Sequence, residues 1–468
     1  MRLFPETAAQ GSVYRIQWRG NLGFRPVSAP LVRPAAVLDN PKSADVYSDH
    51  QILFPLSSLE YLSSGRDHVM SERADAPRHY GPKIMRIELT PVFVPFHETV
   101  KQAMQSGSGG LGMAIAAEEA WLGGDFVICR LIADDGNIGT GEAFVWLPET
   151  GVSPEQIIDA IDHALGRYVL GESPFNVERI RHRMECNVAR NEVAKGLLDM
   201  ACYDLMGRIA GRPASDFMGG RSVDKIPLAA LIPLMDVDSM AGFAEYFHGE
   251  GVQTLRIKLG NNIQEDEKII RRIREALGDN VRLRVDYNGA YSATEAVRAI
   301  KAIEPFGIDF AEQPVRASEY VGMAYVQKRV DTPLMAHEGC FSLQDIVTLM
   351  ELGAIGVVGI NSERPGGVTS ALRAIACAEQ RGMGVVIHNQ TLGIASATQI
   401  HLAAARHHSL GHAAELFGHV MLEDDLIIEP IDYSSGFATV PQGPGWGVSL
   451  DEDALKKYAK GHAVEIKS

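Results

Sequence analysis

From Lys225 onward the chain repeats one pattern eight times: a short apolar run, then a stretch of helical periodicity. The apolar runs read IPLAALIPL, TLRIKLG, RLRVDYN, DFAEQPV, PLMAHEG, GVVGINSE, GVVIHN and HAAELF. Between them lie stretches such as EDEKIIRRIREALG, SATEAVRAIKAIEPFG, LQDIVTLMELG and VTSALRAIACAEQRG, whose apolar residues recur every three or four positions. This alternation predicts parallel strands joined by right-handed crossovers. Eight such units predict an α/β protein built on a closed (β/α)8-type, TIM-like barrel. The rival is an open doubly wound sheet, which would be expected to carry a glycine-rich phosphate turn after an early strand of the run; none stands there.

Upstream the pattern differs. MRIELTPVFVPF, from Met85, begins a strand pattern abruptly, and FVICRLIADDGNIGTGEAF reads as a hairpin turning at Asp-Asp-Gly-Asn. A helical region runs from about Ser153 to Met218. In it GLLDMACYDLMGRIAGRP sets Leu197, Met200, Ala201, Tyr203, Leu205 and Ile209 at near-helical spacing, and Gly211 and Pro213 end the helix. Residues 1–84 are rich in Pro, Ser, Arg and Asp without sustained periodicity. They are expected to be a low-structure extension, with Met70 and Met85 as alternative starts; the other possibility is a small extra domain.

A formal net charge of -15 argues against nucleic acid or an anionic membrane as partner. The five cysteines are dispersed with no CxxC pair, as expected for reduced thiols in a cytoplasmic protein. No uncharged apolar run reaches the roughly 18 residues of a membrane helix, and the N-terminus lacks a compact basic-then-apolar signal.

The ends of the strand units carry the chemistry. The second ends in Arg256-Ile257-Lys258, the third in Asp286-Tyr287-Asn288, the fourth in Glu312, the fifth in His337-Glu338, the sixth in Asn361, the seventh in His388-Asn389 and the eighth in Glu415. All stand at the C-terminal ends of their strands, the face on which barrel active sites are built. Asp286, Glu312 and Glu338 come from consecutive strands and would repel one another without a cation between them. An all-oxygen set suits a hard ion, Mg²⁺. Alone, each acid could equally be solvated or paired with arginine. Lys258 and His388 flank this group. Beside a divalent ion the charged form of a lysine is disfavoured, which would bring it toward a usable base, and histidine titrates near neutrality. A salt bridge for Lys258 and a structural hydrogen bond for His388 are the alternatives.

From Met85 to the end, these residues resemble the enolase superfamily in its mandelate racemase and muconate lactonizing enzyme branch. The resemblance rests on the barrel order, on LLDMACYDLMGRIAGRP, and on PQGPGWGVSLDEDALKKY near the C-terminus. It implies an α+β capping domain at 85–222, a barrel at 223–418 and a return of 419–468 into the cap. It implies Mg²⁺ at Asp286, Glu312 and Glu338, with Lys258 and His388 as bases working through a metal-stabilised enediolate. Candidate substrate contacts are Arg256, Asn288, Asn361 and Glu415. The chain departs from the family pattern in three places. Arg256 replaces the first lysine of Lys-x-Lys, and would serve as a fixed positive charge. Asn361 replaces the lysine or aspartate of strand 6, which leaves the histidine dyad incomplete: His388 would be less basic than in a full dyad, or would be oriented by Asn361 as a neutral partner. His337 stands where lactonizing members carry aspartate, which favours Glu338 as ligand. Glu415 would hydrogen-bond the substrate carboxylate when protonated, or else form a salt bridge. KQAMQSGSGGLGMAIAAEEAWLGG would form a mobile lid, with Met104, Leu111, Met113 and Trp121 as apolar contacts, and VWLPETG a second loop adding Trp146.

The expectation is a Mg²⁺-dependent, homo-oligomeric enzyme that abstracts the α-proton of a small-molecule carboxylate to racemise, epimerise or cycloisomerise it. Dehydration of a hydroxy acid and a non-catalytic binding role are the alternatives.

Overall fold

The computed structural model describes residues 81–105, 122–361, 363–389 and 391–468, together with the backbone of two short paired strands, Pro5–Glu6 and Val13–Tyr14. Residues 1–74 group apart from Asp75–Ser468, which form one compact unit containing the candidate site. The extension expected over 1–84 falls almost wholly outside the described residues.

Strand β1 (Ile84–Pro95) pairs antiparallel with β2 (Gly123–Ala133), which pairs with β3 (Ile138–Val145). The β2–β3 turn is Asp134-Asp135-Gly136-Asn137, and Gly136 supplies the positive φ it needs. Helix α1 (Glu192–Ala210) stops at Gly211, whose left-handed conformation lets its N–H close onto Arg208 and Gly207. It is buried on every side from Val193 to Gly207, including Lys195, Asp199 and Asp204. Two glycines of β3 let it approach so closely. A Cβ at Gly139 would stand 2.3 Å from the Ala201 carbonyl oxygen, and one at Gly141 2.5 Å from that of Leu197.

Eight parallel strands follow: β4 (Ala229–Ile232), β5 (Thr254–Lys258), β6 (Arg282–Asp286), β7 (Ile308–Glu312), β8 (Leu334–Ala336), β9 (Val357–Ile360), β10 (Gly384–Asn389) and β11 (Glu415–Leu416). They pair in chain order. Hydrogen bonds from Ala229 N to Ala414 O and from Ala414 N to Pro227 O bring the last strand back to the first. The first apolar run divides in two, because Lys225–Pro227 pairs instead with Phe437–Thr439. Outside the barrel run α2 (Val237–Gly249), α3 (Ile263–Leu277), α4 (Ala293–Ile303), α5 (Tyr320–Gln327), α6 (Leu343–Glu351), α7 (Val368–Gln380) and α8 (Gly393–Ala405). Several start on their own caps: Asn262 accepts from Glu265 N, and Ser292–Glu295 and Ser342–Asp345 form capping boxes. The chain ends in β12 (Val464–Lys467), antiparallel to β1, so the first sheet runs β12–β1–β2–β3. Among the described residues no helix is long and apolar enough to cross a membrane.

Candidate active site

Alternate side chains along a barrel strand share one face. One series runs Arg256 and Lys258 on β5, Arg284 and Asp286 on β6, Phe310 and Glu312 on β7, Met335 on β8, Val357 and Gly359 on β9, and Val386 and His388 on β10. Phe310, Met335, Val357 and Val386 from this series form a separate apolar cluster. The residues between them, such as Ile257, Val285, Ala311 and Ile387, belong to the main core. The polar members of the series lie toward the C-terminal end. Register sets Lys258 opposite Asp286 and Asp286 opposite Glu312, with His388 opposite Glu415.

Arg256 sits at the centre of this group. Its Nε and Nη2 donate to Glu312 at 2.9 and 2.5 Å, Nη2 also to Asp286 at 2.5 Å, and Nη1 to Glu415 at 2.6 Å. Lys258 Nζ donates to Asp286 Oδ2 and Asn288 Oδ1, both at 2.5 Å. Asn288 Nδ2 in turn donates to Glu338 Oε1 at 2.7 Å. Burial raises the Glu312 carboxyl to about 8, against the lowering effect of the Arg256 charge.

The alternation explains the fifth strand. His337, two residues after Met335, falls in the inward series, while Glu338 lies one step further, in the loop. His337 Nδ1 stands 3.2 Å from Glu312 Oε1 and 3.5 Å from Glu338 Oε2. Its ring packs edge-on against His388, centroids 4.1 Å apart. Burial pulls both imidazoles well below their ordinary range, helped by the charge of Arg364 at His337 and by His337 at His388.

Two candidate contacts are already engaged. Asn361 makes no hydrogen bond to His388 among the described residues; its Oδ1 accepts from the backbone N–H of Glu363 at 3.0 Å and of Arg364 at 2.6 Å, closing a local turn. Glu415 takes the salt-bridge alternative. Arg256 holds Oε1, and Arg284 Nη2 holds Oε2 at 2.6 Å, so both oxygens accept from cations.

Three contributors were missed. Arg284 lies mid-strand, 5.5 Å over the Phe310 ring, where a charged residue in a strand reads as solvent-facing. Arg364, in the loop after β9, reaches His337, and Glu149, from the single helical turn Leu147–Thr150 after β3, pairs with Arg364. Loop approach of this kind leaves no periodic signal. Of the loop contacts expected, Trp146 packs partly buried against the Val92–Phe126 cluster. Leu111, Met113, Trp121 and the side chain of Met104 lie outside the described residues.

The donors suit a hard divalent cation. Asp286, Glu312, Glu338 and Glu415 crowd around Arg256, Lys258 and Arg284 as an all-oxygen set of acceptors, and Glu338 Oε2 is buried without a hydrogen-bond partner. Among the described residues no three such groups form a closed metal shell, because Arg256 and Lys258 stand between the carboxylates.

Residues 112–219 match the mandelate racemase / muconate lactonizing enzyme N-terminal domain, and residues 239–454 match the enolase C-terminal domain-like family. The chain is 31% identical over 372 residues to L-Ala-D/L-Glu epimerase of Bacillus subtilis, covering 78% of this chain and 96% of that one. It is 29% identical over 333 residues to N-succinyl-L-Arg/Lys racemase of Bacillus cereus, covering 71% and 89%. The crystal structure of the N-succinyl Arg/Lys racemase from Bacillus cereus superposes with a TM-score of 0.74 at 26% identity, covering 82% of this chain and all of that one. With both halves matched and the barrel order in place, the chain belongs to the mandelate racemase / muconate lactonizing enzyme family of the enolase superfamily.

Proposed function

We propose that this enzyme racemises or epimerises an N-acylated amino acid, dipeptides included, by removing and returning the proton α to a carboxylate. The observation that carries the reading is the register line Lys258–Asp286–Glu312, extended to Glu338 through Asn288. Asp286, Glu312 and Glu338 would hold a divalent cation, Mg²⁺ in this reading. When bound, it would stabilise the negative charge that gathers on the substrate carboxylate as the α-proton leaves. Lys258 in its neutral form has a lone pair on Nζ to take that proton, and Asp286 and Asn288 orient it. Burial pulls the His388 imidazole below its ordinary range, and its Nε2 is buried without a hydrogen-bond partner, so it can serve as the second proton carrier. Arg256 supplies permanent positive charge that draws an anionic substrate into a carboxylate-rich mouth. The substrate class follows the relatives, an N-succinyl amino acid racemase and a dipeptide epimerase. The cysteines are all free, which supports a cytoplasmic setting.

The test is proton NMR in D₂O across a panel of N-succinyl amino acids and dipeptides of both configurations. Loss of the α-proton signal with appearance of the second stereoisomer is expected. Lys258→Ala should stop exchange from one configuration and His388→Asn from the other. A 2-keto acid formed with loss of water from a 2,3-dihydroxy acid added to the panel would make the enzyme a dehydratase, and no exchange on any amino-acid member would end this reading.

A further inference from the structure

We infer that His337 is a positioning residue that turns the Glu338 carboxylate into the barrel mouth, and that Arg364 sets the tautomer in which it does so. The inference rests on the divalent-cation reading above and assigns a role to residues outside its ligand set.

A guanidinium can only donate. Arg364 Nη2 stands 2.5 Å from His337 Nε2, so Nε2 is the acceptor and offers its lone pair. An imidazole whose Nε2 offers a lone pair carries its hydrogen on Nδ1. Nδ1–H faces Glu312 Oε1 at 3.2 Å and Glu338 Oε2 at 3.5 Å. Nδ1 and Glu338 Oε2 are both buried atoms without a hydrogen-bond partner, one a donor and the other an acceptor. They are complementary, and a small rotation of either side chain joins them.

Glu338 needs such help because of where it lies. The inward position of the fifth strand belongs to His337, and Glu338 follows in the loop. Asn288 holds Oε1 from one side; His337 is the group available to hold Oε2 from the other. The same tautomer excludes His337 as a metal ligand, since Nδ1, the atom nearest the carboxylates, has no free lone pair. Arg364 is itself fixed. Its Nη1 donates to the His337 carbonyl at 2.8 Å, its own N–H is held by Asn361, and its side chain pairs with Glu149. Hydrogen bonds to ligating carboxylates typically contribute 10–100-fold to metal affinity.

The experiment titrates the full, substrate-free chain with Mn²⁺ alone, read by EPR of the free ion, with circular dichroism melts to confirm folding. Glu312→Gln serves as the ligand control and should abolish tight binding. His337→Leu should weaken binding about 10–100-fold. His337→Asn, whose amide nitrogen falls where Nδ1 stands, should stay near wild type. His337→Gln, whose amide nitrogen falls nearer Nε2, should behave like the leucine variant. Arg364→Met should lose part of the affinity, because the tautomer is no longer held. Equal affinity for the leucine and asparagine variants overturns the inference, and so does loss in His337→Leu as complete as in Glu312→Gln, which would make His337 a ligand. If the wild-type chain binds no Mn²⁺, the cation reading fails, and this inference with it.

Discussion

Glu415 shows how neighbours decide what a side chain can do. Arg256 and Arg284 each reach one of its oxygens at 2.6 Å, and the group is almost fully buried. Removing its charge would leave two guanidiniums facing each other in a low-dielectric core. Breaking such a buried pair costs about 3–5 kcal/mol. Glu415→Gln should therefore lower stability by about that amount in urea denaturation, and adding Arg284→Met should cost less than the two single changes summed. Fully additive losses would show that the clamp is not coupled. Gly359 makes a second case. A Cβ there would stand 3.0 Å from His388 Nε2 and 3.1 Å from the Ala336 carbonyl oxygen. The backbone cannot retreat, so the imidazole must. Gly359→Ala should slow exchange from the His388-dependent face while sparing the Lys258 face, by less than the roughly 100-fold that a full ångström of misplacement costs, since the imidazole need give only a fraction of that. Equal slowing on both faces in the D₂O assay would deny His388 a face of its own. Lys258, Asp286 and Glu312 were legible in the sequence because strand ends recur at regular intervals. Glu338 was legible only as half of a His-Glu pair, since side-chain alternation assigns the inward position to its neighbour.

At the scale of elements, several barrel helices begin without a side-chain cap of their own, α7 and α8 among them. Leu392 precedes α8 and Gly367 precedes α7, and neither offers a side-chain cap. Carboxylates from the first sheet and α1 supply what is missing. Glu142 on β3 accepts from Leu392 N at 2.7 Å and Ala395 N at 2.9 Å. Asp199 on α1 accepts from Thr369 N at 2.9 Å and Thr369 Oγ1 at 2.6 Å. Free helix N–H groups thus become docking points between cap and barrel. Glu142→Gln keeps one carbonyl oxygen for two N–H groups, so one buried donor loses its acceptor. The expected loss is about 1–3 kcal/mol in chemical denaturation; an unchanged midpoint would show that water can stand in for the carboxylate. This docking also explains which elements could be read in advance. Helices α3, α4, α6 and α7 each keep one face in water and so display a period. Helix α8 is buried throughout, from Gly393 to Ala405, because the cap covers it, and GIASATQIHLAAA carries no period to find. The division of the first strand run was hidden for a similar reason, since the partner of Lys225–Pro227 lies some 210 residues further along, at Phe437–Thr439.

For the whole molecule, the C-terminal return is the tie between parts. Trp446 is fully buried. Its backbone N–H reaches Asp204 on α1 at 2.8 Å, its ring N–H reaches the Thr140 carbonyl on β3 at 3.1 Å, and its own carbonyl meets His401 Nε2 on α8 at 3.0 Å. A carbonyl only accepts, so His401 carries its hydrogen on Nε2. Its Nδ1 is buried with no partner, so a second proton would have nothing to bond to. Burial accordingly holds this imidazole at about 4, and His412 and His419 at about 4 as well. An unfolded histidine titrates near 6.5. As pH falls below that value the unfolded chain binds protons that the folded chain refuses. The stability tied to these groups is therefore complete above about 6.5 and is lost progressively as pH falls through 4. For His401, the most buried of the three, the difference corresponds to roughly 3 kcal/mol. The melting temperature should be level near neutrality and fall steadily between pH 6.5 and 4. His401→Gln can still donate an amide hydrogen to Trp446 and has no proton to gain, so it should flatten that acid limb even if it melts lower at pH 7. An acid limb of unchanged slope in the variant would remove His401 as a source of acid sensitivity and place it on the carboxylates instead.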